Sequence, residues 1–194
     1  KKTQFYSSFW KHSIITAFLG KHIAWQCNKK DISENVFLCG LLHDIGKTVL
    51  FNSDNDKYNS VQEKTRTTGR PAEEFEEELF ETNHKTLGAQ LFRKWNFPDI
   101  FVDSAMEHNS INITSPHKIL IIHVTIAGLI AEKAGFGTFN QVKEDMLRQL
   151  LPHLCITEDD VLNYTQNYID ILGKDRLFIE CQSLFGLDIK DATP

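Results

Sequence analysis

The sequence predicts an all-α fold, a compact helical domain of about seven to nine helices. Three observations support this class. Apolar residues recur at helical intervals through most of the 194 residues. Several segments open on residues that cap helices and end at glycine or before proline. No stretch shows sustained two-residue alternation bounded by hairpin turns, so strands are not expected.

The N-terminal quarter predicts two helices with large apolar faces. Ser33, followed by Glu34, is a candidate cap for the second, which continues through Val36 to Ile45 with Gly46 near its end. This helix is apolar on most sides, so it should be central. The first helix carries its apolar residues at helical spacing: Phe9, Trp10, Ile14, Ala17, Phe18, Ile23 and Ala24.

The next segment, 52–70, is polar and rich in turn-forming residues. It predicts a surface loop that can include one short helix. Pro71 suits the first position of a helix, and an acidic stretch follows it with Phe75, Leu79 and Phe80 on one side. The acidic first turn favours the positive end of the helix dipole.

Two further helices follow. Asn83 can cap a helix that starts at His84 and runs to about Trp95. Pro98 then begins another helix, which ends at His108. Both helices have a histidine at one terminus, where a ligand or a backbone group can be reached.

The C-terminal part predicts a buried helix followed by amphipathic ones. Ser115 and Pro116 mark the start of an apolar helix that runs to about Lys133. Thr157 and the three acidic residues after it resemble a capping box for a helix that ends at Gly173. A last helix carries Leu177, Phe178, Cys181 and Leu184. We expect residues 1–137 to form a helical core and residues 138–194 a helical extension packed on it.

Composition and charge exclude several classes of protein. The net charge is −5, which argues against a broad basic face for nucleic acid and against docking on an anionic membrane. The apolar run 119–131 is too short to span a bilayer. The first residue is Lys1, which indicates a fragment of a longer protein. No CxxC pair is present, so reduced thiols in a cytoplasmic protein are predicted for Cys27, Cys39, Cys155 and Cys181.

The segment GLLHDIGK, residues 40–47, carries the clearest chemical signal. If His43 and Asp44 are adjacent on a helix, their side chains point about 100° apart, so an ion between those directions can contact both. Lys47, one turn beyond His43, is placed to meet a phosphate. The alternative is that the histidine and aspartate form ordinary hydrogen bonds and that Lys47 complements a helix end. The spacing leaves both interpretations open.

Three more histidines have positions that matter. His12 lies on its own helix, where it is either a hydrogen-bonded core residue or a ligand. His84 begins a helix and can bond a backbone group there. His108 ends a helix, where a protonated imidazole suits the dipole without any metal.

Together these strings resemble the HDOD domain, the HD-related output domain of bacterial signalling proteins. The resemblance extends from about residue 5 to residue 137. The string from Gly88 to Pro98, followed by a helix that ends in histidine, is the most specific part. The matching segments are FWKHSIITA at 9–17, VFLCGLLHDIGKTVLF at 36–51, HKTLGAQLFRKWNFPDIFVDSAMEHN at 84–109 and ILIIHVTIAGLIAEKAGFG at 119–137. The family usually has a further helical half before the first of these, which this chain lacks.

The resemblance implies a candidate metal site. HD hydrolases arrange His, His-Asp and a distant Asp around one or two ions and cleave phosphoesters, and the HD-GYP relatives hydrolyse cyclic di-GMP. Lys47 resembles the lysine that faces phosphate. The ligand candidates that the resemblance implies are His12, His43, Asp44, His84 and His108.

The chain departs from the HD pattern at three positions. Gly128 stands where the last aspartate is expected, Ser8 where HD-GYP proteins have a glutamate, and Asn109 where they have a second histidine. Five candidate ligands with one carboxylate would neutralise two ions poorly. The set is therefore compatible with one divalent ion (Fe, Mn, Zn or Mg) or with a vestigial site, and no cofactor is required.

These observations predict a non-catalytic signal-transduction module that binds a protein partner or a ligand. The alternative is a metal-dependent phosphohydrolase or cyclic-dinucleotide phosphodiesterase with a reduced metal site. A third hypothesis is a domain that binds a nucleotide without hydrolysing it. Signalling proteins are the expected partners, whereas membranes and nucleic acid are not expected.

Overall fold

The computed structural model describes residues 2–138 and 140–185. The predicted all-α class is confirmed, and the described residues form eleven α-helices and one 3-10 turn, more than the seven to nine expected. The helices are α1 (Lys2–Gln26), α2 (Ser33–Leu42), α3 (Ile45–Ser53), α4 (Asn55–Thr68), α5 (Ala72–Phe80), α6 (His84–Lys94), α7 (Asp99–Glu107), α8 (Lys118–Lys133), α9 (Gln141–Leu150), α10 (Glu158–Leu172) and α11 (Arg176–Phe185), and the 3-10 turn is Leu151–His153. None of these helices is both long and apolar enough to cross a membrane.

Helix α8 is the centre of the main core, as its composition predicts. Every residue from Leu120 to Ala131 is buried. Helices α1 and α2 pack against it. Ile15, Leu19 and Ile23 of α1 are fully buried and one turn apart, so α1 presents one continuous apolar stripe to this core.

A second core, made largely of aromatic rings, lies under the N-terminus of α1. Phe5 stacks on Phe51 of α3 with ring centroids 3.9 Å apart, and Tyr58 of α4 meets Phe5 edge-on. Phe9 and Phe75 are buried in the same cluster. This cluster fixes α3, α4 and α5 beside the start of α1, next to the position of His12.

The predicted helix through residues 36–45 is in fact two helices. The chain breaks at His43 and Asp44, and Asp44 has the non-helical angles φ −95° and ψ 8°. Gly46 does not end a helix but lies in α3, where a Cβ would come within 1.9 Å of the carbonyl oxygen of His84. Close backbone contact between α3 and the start of α6 therefore requires glycine here, and it brings the His43–Asp44 turn against His84.

Segment 52–70 is helical rather than a loop, so that prediction was wrong. Helix α4 begins after Asp54, whose side chain accepts a hydrogen bond from the backbone N–H of Lys57, and it ends at Gly69 with φ 71°. Only Tyr58 and Val61 of this helix are buried. A helix that buries two residues has almost no apolar periodicity, and its stability comes from its caps and from packing on the aromatic cluster.

The cap predictions were mostly correct. The side chain of Asn83 accepts from the N–H of Thr86, and Thr157 forms a capping box with Asp160. Ser33 is not a cap, because it is the first residue of α2 and its hydroxyl donates to a carbonyl of the preceding turn. The hydroxyl donates to the carbonyl of Lys30, three residues upstream, and does not accept from an N–H of the first turn.

The C-terminal helices share the main core with the rest of the chain. Tyr164 and Tyr168 of α10 and Phe178 of α11 are buried in it. The prediction that all cysteines are free thiols was wrong for two of them, because Cys27 and Cys155 form a disulfide with their Cα atoms 5.3 Å apart. The two cysteines are 128 residues apart in sequence, and only the fold brings the end of α1 to the turn before α10.

Candidate metal centre

Four histidine side chains from four separate segments meet around the carboxylate of Asp44. His84 begins α6 and His108 follows the last residue of α7; their Nε2 atoms lie 3.5 and 3.3 Å from Asp44 Oδ1. His12 of α1 and His43 place their Nε2 atoms 3.7 and 3.5 Å from Asp44 Oδ2. The structure therefore brings together all five residues that the sequence singled out as ligand candidates.

The five residues form two groups that share the aspartate. His12 and His43 have their Nε2 atoms 3.3 Å apart on one side, and His84 and His108 have theirs 3.3 Å apart on the other. Within each group the ligand atoms lie within 4.8 Å of one another. Each group thus offers two imidazole nitrogens and one carboxylate oxygen to a single point.

On the His12 side, both outer ring nitrogens are held by backbone carbonyls. Nδ1 of His12 donates to the carbonyl of Phe136, at 2.9 Å, and Nδ1 of His43 donates to the carbonyl of Gly40, at 2.8 Å. Because a carbonyl oxygen can only accept, the ring proton of each histidine is on Nδ1. Each neutral ring therefore presents the lone pair of Nε2 to Asp44.

The other two histidines follow the same rule with different partners. Nδ1 of His108 donates to the carbonyl of Ala105 at 2.9 Å, and Nδ1 of His84 donates to Oε2 of Glu76 at 2.6 Å. Glu76 also accepts from the backbone N–H of His84 and from the hydroxyl of Tyr58. Glu76 is a buried carboxylate that sequence reasoning missed. Helical spacing could have identified it, because Glu76 lies one turn before Phe80 and therefore on the side of α5 that packs inward.

The donor set fits a divalent metal ion. Four Nε2 lone pairs and a carboxylate are all acceptors, yet they face one another at 3.3 to 3.7 Å with no proton between them. Oδ1 of Asp44 is buried and has no hydrogen-bond partner among the described residues. Imidazole nitrogen and carboxylate oxygen are ligands of Zn, Fe and Mn, and outer hydrogen bonds that fix each ring are typical of metal-binding histidines.

Burial keeps three of the four imidazoles neutral. It lowers the pKa of His12, His43 and His108 to about 4, although the charge of Asp44 opposes this shift. Burial alone would raise the pKa of Asp44, but Lys47 and the surrounding histidines hold it well below its usual range. These three histidines and Asp44 are thus in the protonation states that metal binding needs.

Lys47 contacts the aspartate directly. Its Nζ lies 2.6 Å from Asp44 Oδ2. Burial would lower the pKa of Lys47, and the carboxylate of Asp44 raises it well above the usual value instead. The ammonium therefore compensates the charge of Asp44. The phosphate-facing role expected of Lys47 stays a prediction.

A cavity of about 460 Å³ opens beside this centre. Its wall includes His12, Asp44 and Lys47, and also Ser8, which stands at one of the three departures from the HD pattern. Gly128 lies next to His12: a Cβ built on it would be 3.9 Å from Cε1 of His12 and would meet no closer atom than 3.8 Å. A Cβ at this position would therefore make only ordinary van der Waals contacts beside the first histidine.

Asn109 lies one residue beyond the ligand candidate His108 and has a left-handed backbone with φ 54°. Its backbone N–H donates to the hydroxyl of Thr125 on α8 at 3.2 Å. This bond holds the end of α7 against α8.

Three solved structures share this fold. An HDOD domain protein from Geobacter sulfurreducens has a TM-score of 0.65 at 20% identity over 92% of this chain and 62% of its own. A protein of Shewanella amazonensis SB2B described as "Putative phosphohydrolase" has a TM-score of 0.65 at 19% identity over 93% and 63%. The MmoQ response regulator of Methylococcus capsulatus has a TM-score of 0.61 at 21% identity over 82% and 61%. The chain spans about three fifths of each of these chains.

Sequence comparison gives the family. An uncharacterized protein of Treponema pallidum (strain Nichols) is 22% identical over 140 residues, which are 71% of this chain and 27% of that protein. The family model of the HDOD domain matches residues 2–111, more than half of the chain. That match includes all five ligand candidates and the His43–Asp44 turn, and the chain belongs to the HDOD family.

Proposed function

We propose that this chain is a non-catalytic signal-transduction module that binds a divalent metal ion at the His/Asp centre and a ligand or protein partner beside it. One observation carries the proposal. All four histidines use Nδ1 as a donor and direct Nε2 at one buried carboxylate, which is an arrangement of acceptors that a cation satisfies. When bound, the ion would supply a Lewis-acidic point at the end of the cavity.

Ligand recognition would fall to the residues at the mouth of the centre. Lys47 lines the cavity, and its ammonium can exchange part of its contact with Asp44 for an anionic group once a cation neutralises the aspartate. Phe5, Phe9 and Phe136 contribute apolar surface to the same wall. A small anionic ligand with an aromatic portion, such as a nucleotide, matches this lining.

Two features favour binding over turnover. The five ligand candidates include one carboxylate, which both groups share. Gly128 offers no side chain beside His12, so none of the five candidates gives the His12 group a carboxylate apart from Asp44. Hydrolysis by two ions depends on a charge-balanced pair that stabilises the attacking and leaving oxygens together.

The second candidate function is phosphoester hydrolysis. The observation that favours it is the open cavity with His12, Asp44 and Lys47 on its wall, since a substrate phosphate there would lie next to the ligand atoms. The likeness in fold to the protein described as "Putative phosphohydrolase" points to the same chemistry.

One experiment separates the two. Metal-free protein is loaded with Mn²⁺, or with Fe²⁺ anaerobically, and its metal content is measured by elemental analysis. It is then offered cyclic di-GMP, nucleoside mono- and triphosphates and p-nitrophenyl esters. We expect about one bound equivalent of metal, no turnover above background, and nucleotide-induced thermal stabilisation of the loaded protein only.

Asp44→Ala and Asp56→Asn are the matched variants, because Asp56 is an exposed aspartate on α4. Asp44→Ala should lose the metal and Asp56→Asn should keep it. Turnover that disappears in Asp44→Ala and persists in Asp56→Asn would establish the phosphohydrolase. Absence of bound metal in the unsubstituted protein would refute the metal-binding role.

A further inference from the structure

A second carboxylate, Glu132, lies at the edge of the centre. It is in the last turn of α8 and lines the cavity together with His12, Asp44 and Lys47. Among the described residues of that wall, Asp44 and Glu132 are the carboxylates.

The geometry of α8 directs Glu132 toward His12. It lies one turn after Gly128, and helical side chains lean back toward the N-terminus, over the preceding turn. That turn presents Gly128, whose position faces Cε1 of His12 and carries no side chain. The space next to His12 is therefore open to the carboxylate that follows it.

Glu132 is held in place by the turn after α8. Oε1 of Glu132 pairs with Nζ of Lys143 at 2.5 Å, and Lys143 also donates to the carbonyl of Thr138. Gly137 lies flat against the same side chain, where a Cβ would come within 2.7 Å of Cγ of Glu132. The same turn supplies the carbonyl of Phe136 that fixes His12.

The second carboxylate oxygen of Glu132, Oε2, takes no part in the ion pair with Lys143. Oε2 of Glu132 is buried and has no hydrogen-bond partner among the described residues. A buried carboxylate oxygen without a partner carries a large desolvation cost, which a cation can offset. The Glu132 side chain is therefore fixed in orientation and negatively charged. One of its carboxylate oxygens is free to bind a cation on the cavity wall that His12 also lines.

We propose that Glu132 is a ligand of the divalent cation on the His12–His43 side of the centre. That side then has two imidazoles, the shared Asp44 and a second carboxylate, which would balance the charge of one divalent ion. The inference rests on the proposed metal-binding role and adds to it. It also means that a residue beyond the part matched by the family model completes the site.

The test is a titration of chelator-treated protein with Co²⁺, followed by its visible absorption and by calorimetry. Glu132→Gln keeps the size of the side chain and should weaken ion binding about 10–100-fold. Glu144→Gln is the matched control, because Glu144 pairs with Lys133 and so also joins α9 to α8, away from the cavity wall. It should bind the ion like the unsubstituted protein.

Two more variants separate a ligand from a structural role. Lys143→Met removes the partner of Glu132 and leaves the carboxylate, so ion binding should be kept or strengthened. Gly128→Asp, added to Glu132→Gln, should restore part of the lost affinity, because it places a new carboxylate next to His12. Circular dichroism confirms that each variant is folded, and Glu132→Asp, which keeps the charge, replaces Glu132→Gln if that variant fails to fold.

The outcomes are distinct. If Glu132→Gln binds the ion as tightly as the unsubstituted protein while Asp44→Asn does not bind it, this inference is wrong and the proposed function stands. If Lys143→Met weakens binding as much as Glu132→Gln, Glu132 acts through its ion pair and is not a ligand. If the unsubstituted protein binds no ion, the metal-binding role and this inference fail together.

Discussion

Replacing Glu76 tests how the centre holds His84. Glu76 has 0% of its surface exposed, and its Oε2 accepts both the Nδ1–H and the backbone N–H of His84, at 2.6 and 2.9 Å. Glu76→Ala leaves both donors buried without an acceptor.

The size of the effect follows from counting these donors. Each buried donor left without a partner costs about 1–3 kcal/mol, so Glu76→Ala should lower the free energy of unfolding by about 2–6 kcal/mol. That is a large share of the about 5–15 kcal/mol available to a typical domain. The bond from Tyr58, at 3.4 Å, is long and adds little.

Glu76→Gln separates charge from hydrogen bonding. Its amide oxygen can still accept both protons of His84, so the stability of the metal-free protein should change by less than about 1.5 kcal/mol. The negative charge that strengthens the imidazole as a ligand is lost, however. Ion affinity should therefore fall about 10–100-fold.

Urea unfolding of metal-free protein measures the first effect and Co²⁺ titration measures the second. The control is Glu78→Ala, on the same helix, because Glu78 is exposed and pairs with Arg70 at the surface. It should cost less than about 1 kcal/mol and leave ion binding unchanged. If Glu76→Ala is no less stable than Glu78→Ala, the reasoning about His84 is refuted.

Three further predictions concern the fold. The free energy of unfolding of the metal-free protein should be highest above about pH 6.5 and should fall as the pH approaches 4. The reason is that three histidines of the centre have a pKa of about 4 in the folded protein against about 6.5 in the unfolded chain. Urea melts at pH 7.5 and at pH 5 that agree would contradict this. Ile126→Ala, at a residue with 0% exposure in α8, should cost about 2–5 kcal/mol in denaturant melts, and a loss of only a few tenths would show that the helix is peripheral. Cys27→Ser should lower stability by about 2–4 kcal/mol relative to the oxidised protein, and the difference should vanish when both proteins are reduced; equal melts without reductant would argue against the disulfide with Cys155.

The identity of the helices could be predicted where one strong local signal was present. Helix α8 is buried on all sides and its sequence is apolar on all sides. The caps at Asn83 and Thr157 are side chains that bond their own helix within three residues, so they depend on no other part of the chain. Helix α4 had no such signal, because it buries only Tyr58 and Val61.

The ligand candidates were also predictable, although not from spacing alone. Residue type and order along the chain singled out His12, His43, Asp44, His84 and His108 through their resemblance to a family. What could not be predicted is the break at His43 and Asp44, because it depends on the contact between Gly46 and the backbone of His84. If the helix continued through that turn, the side chain of Asp44 would point in a different direction from the one that faces the four histidines.

The sequence by itself determined the helical class, the central helix and the list of residues able to bind a metal, since these follow from local periodicity and residue chemistry. The tertiary structure decided which atoms face each other. Two of the partners that fix the imidazoles, Glu76 and the carbonyl of Phe136, are 8 and 124 residues from the histidines they hold. Tertiary packing also brings Glu132 to the cavity wall that His12 and Asp44 line, and it brings Cys27 next to Cys155. Contacts of this kind depend on the packing of helices that are distant in the chain, and no local pattern encodes that packing.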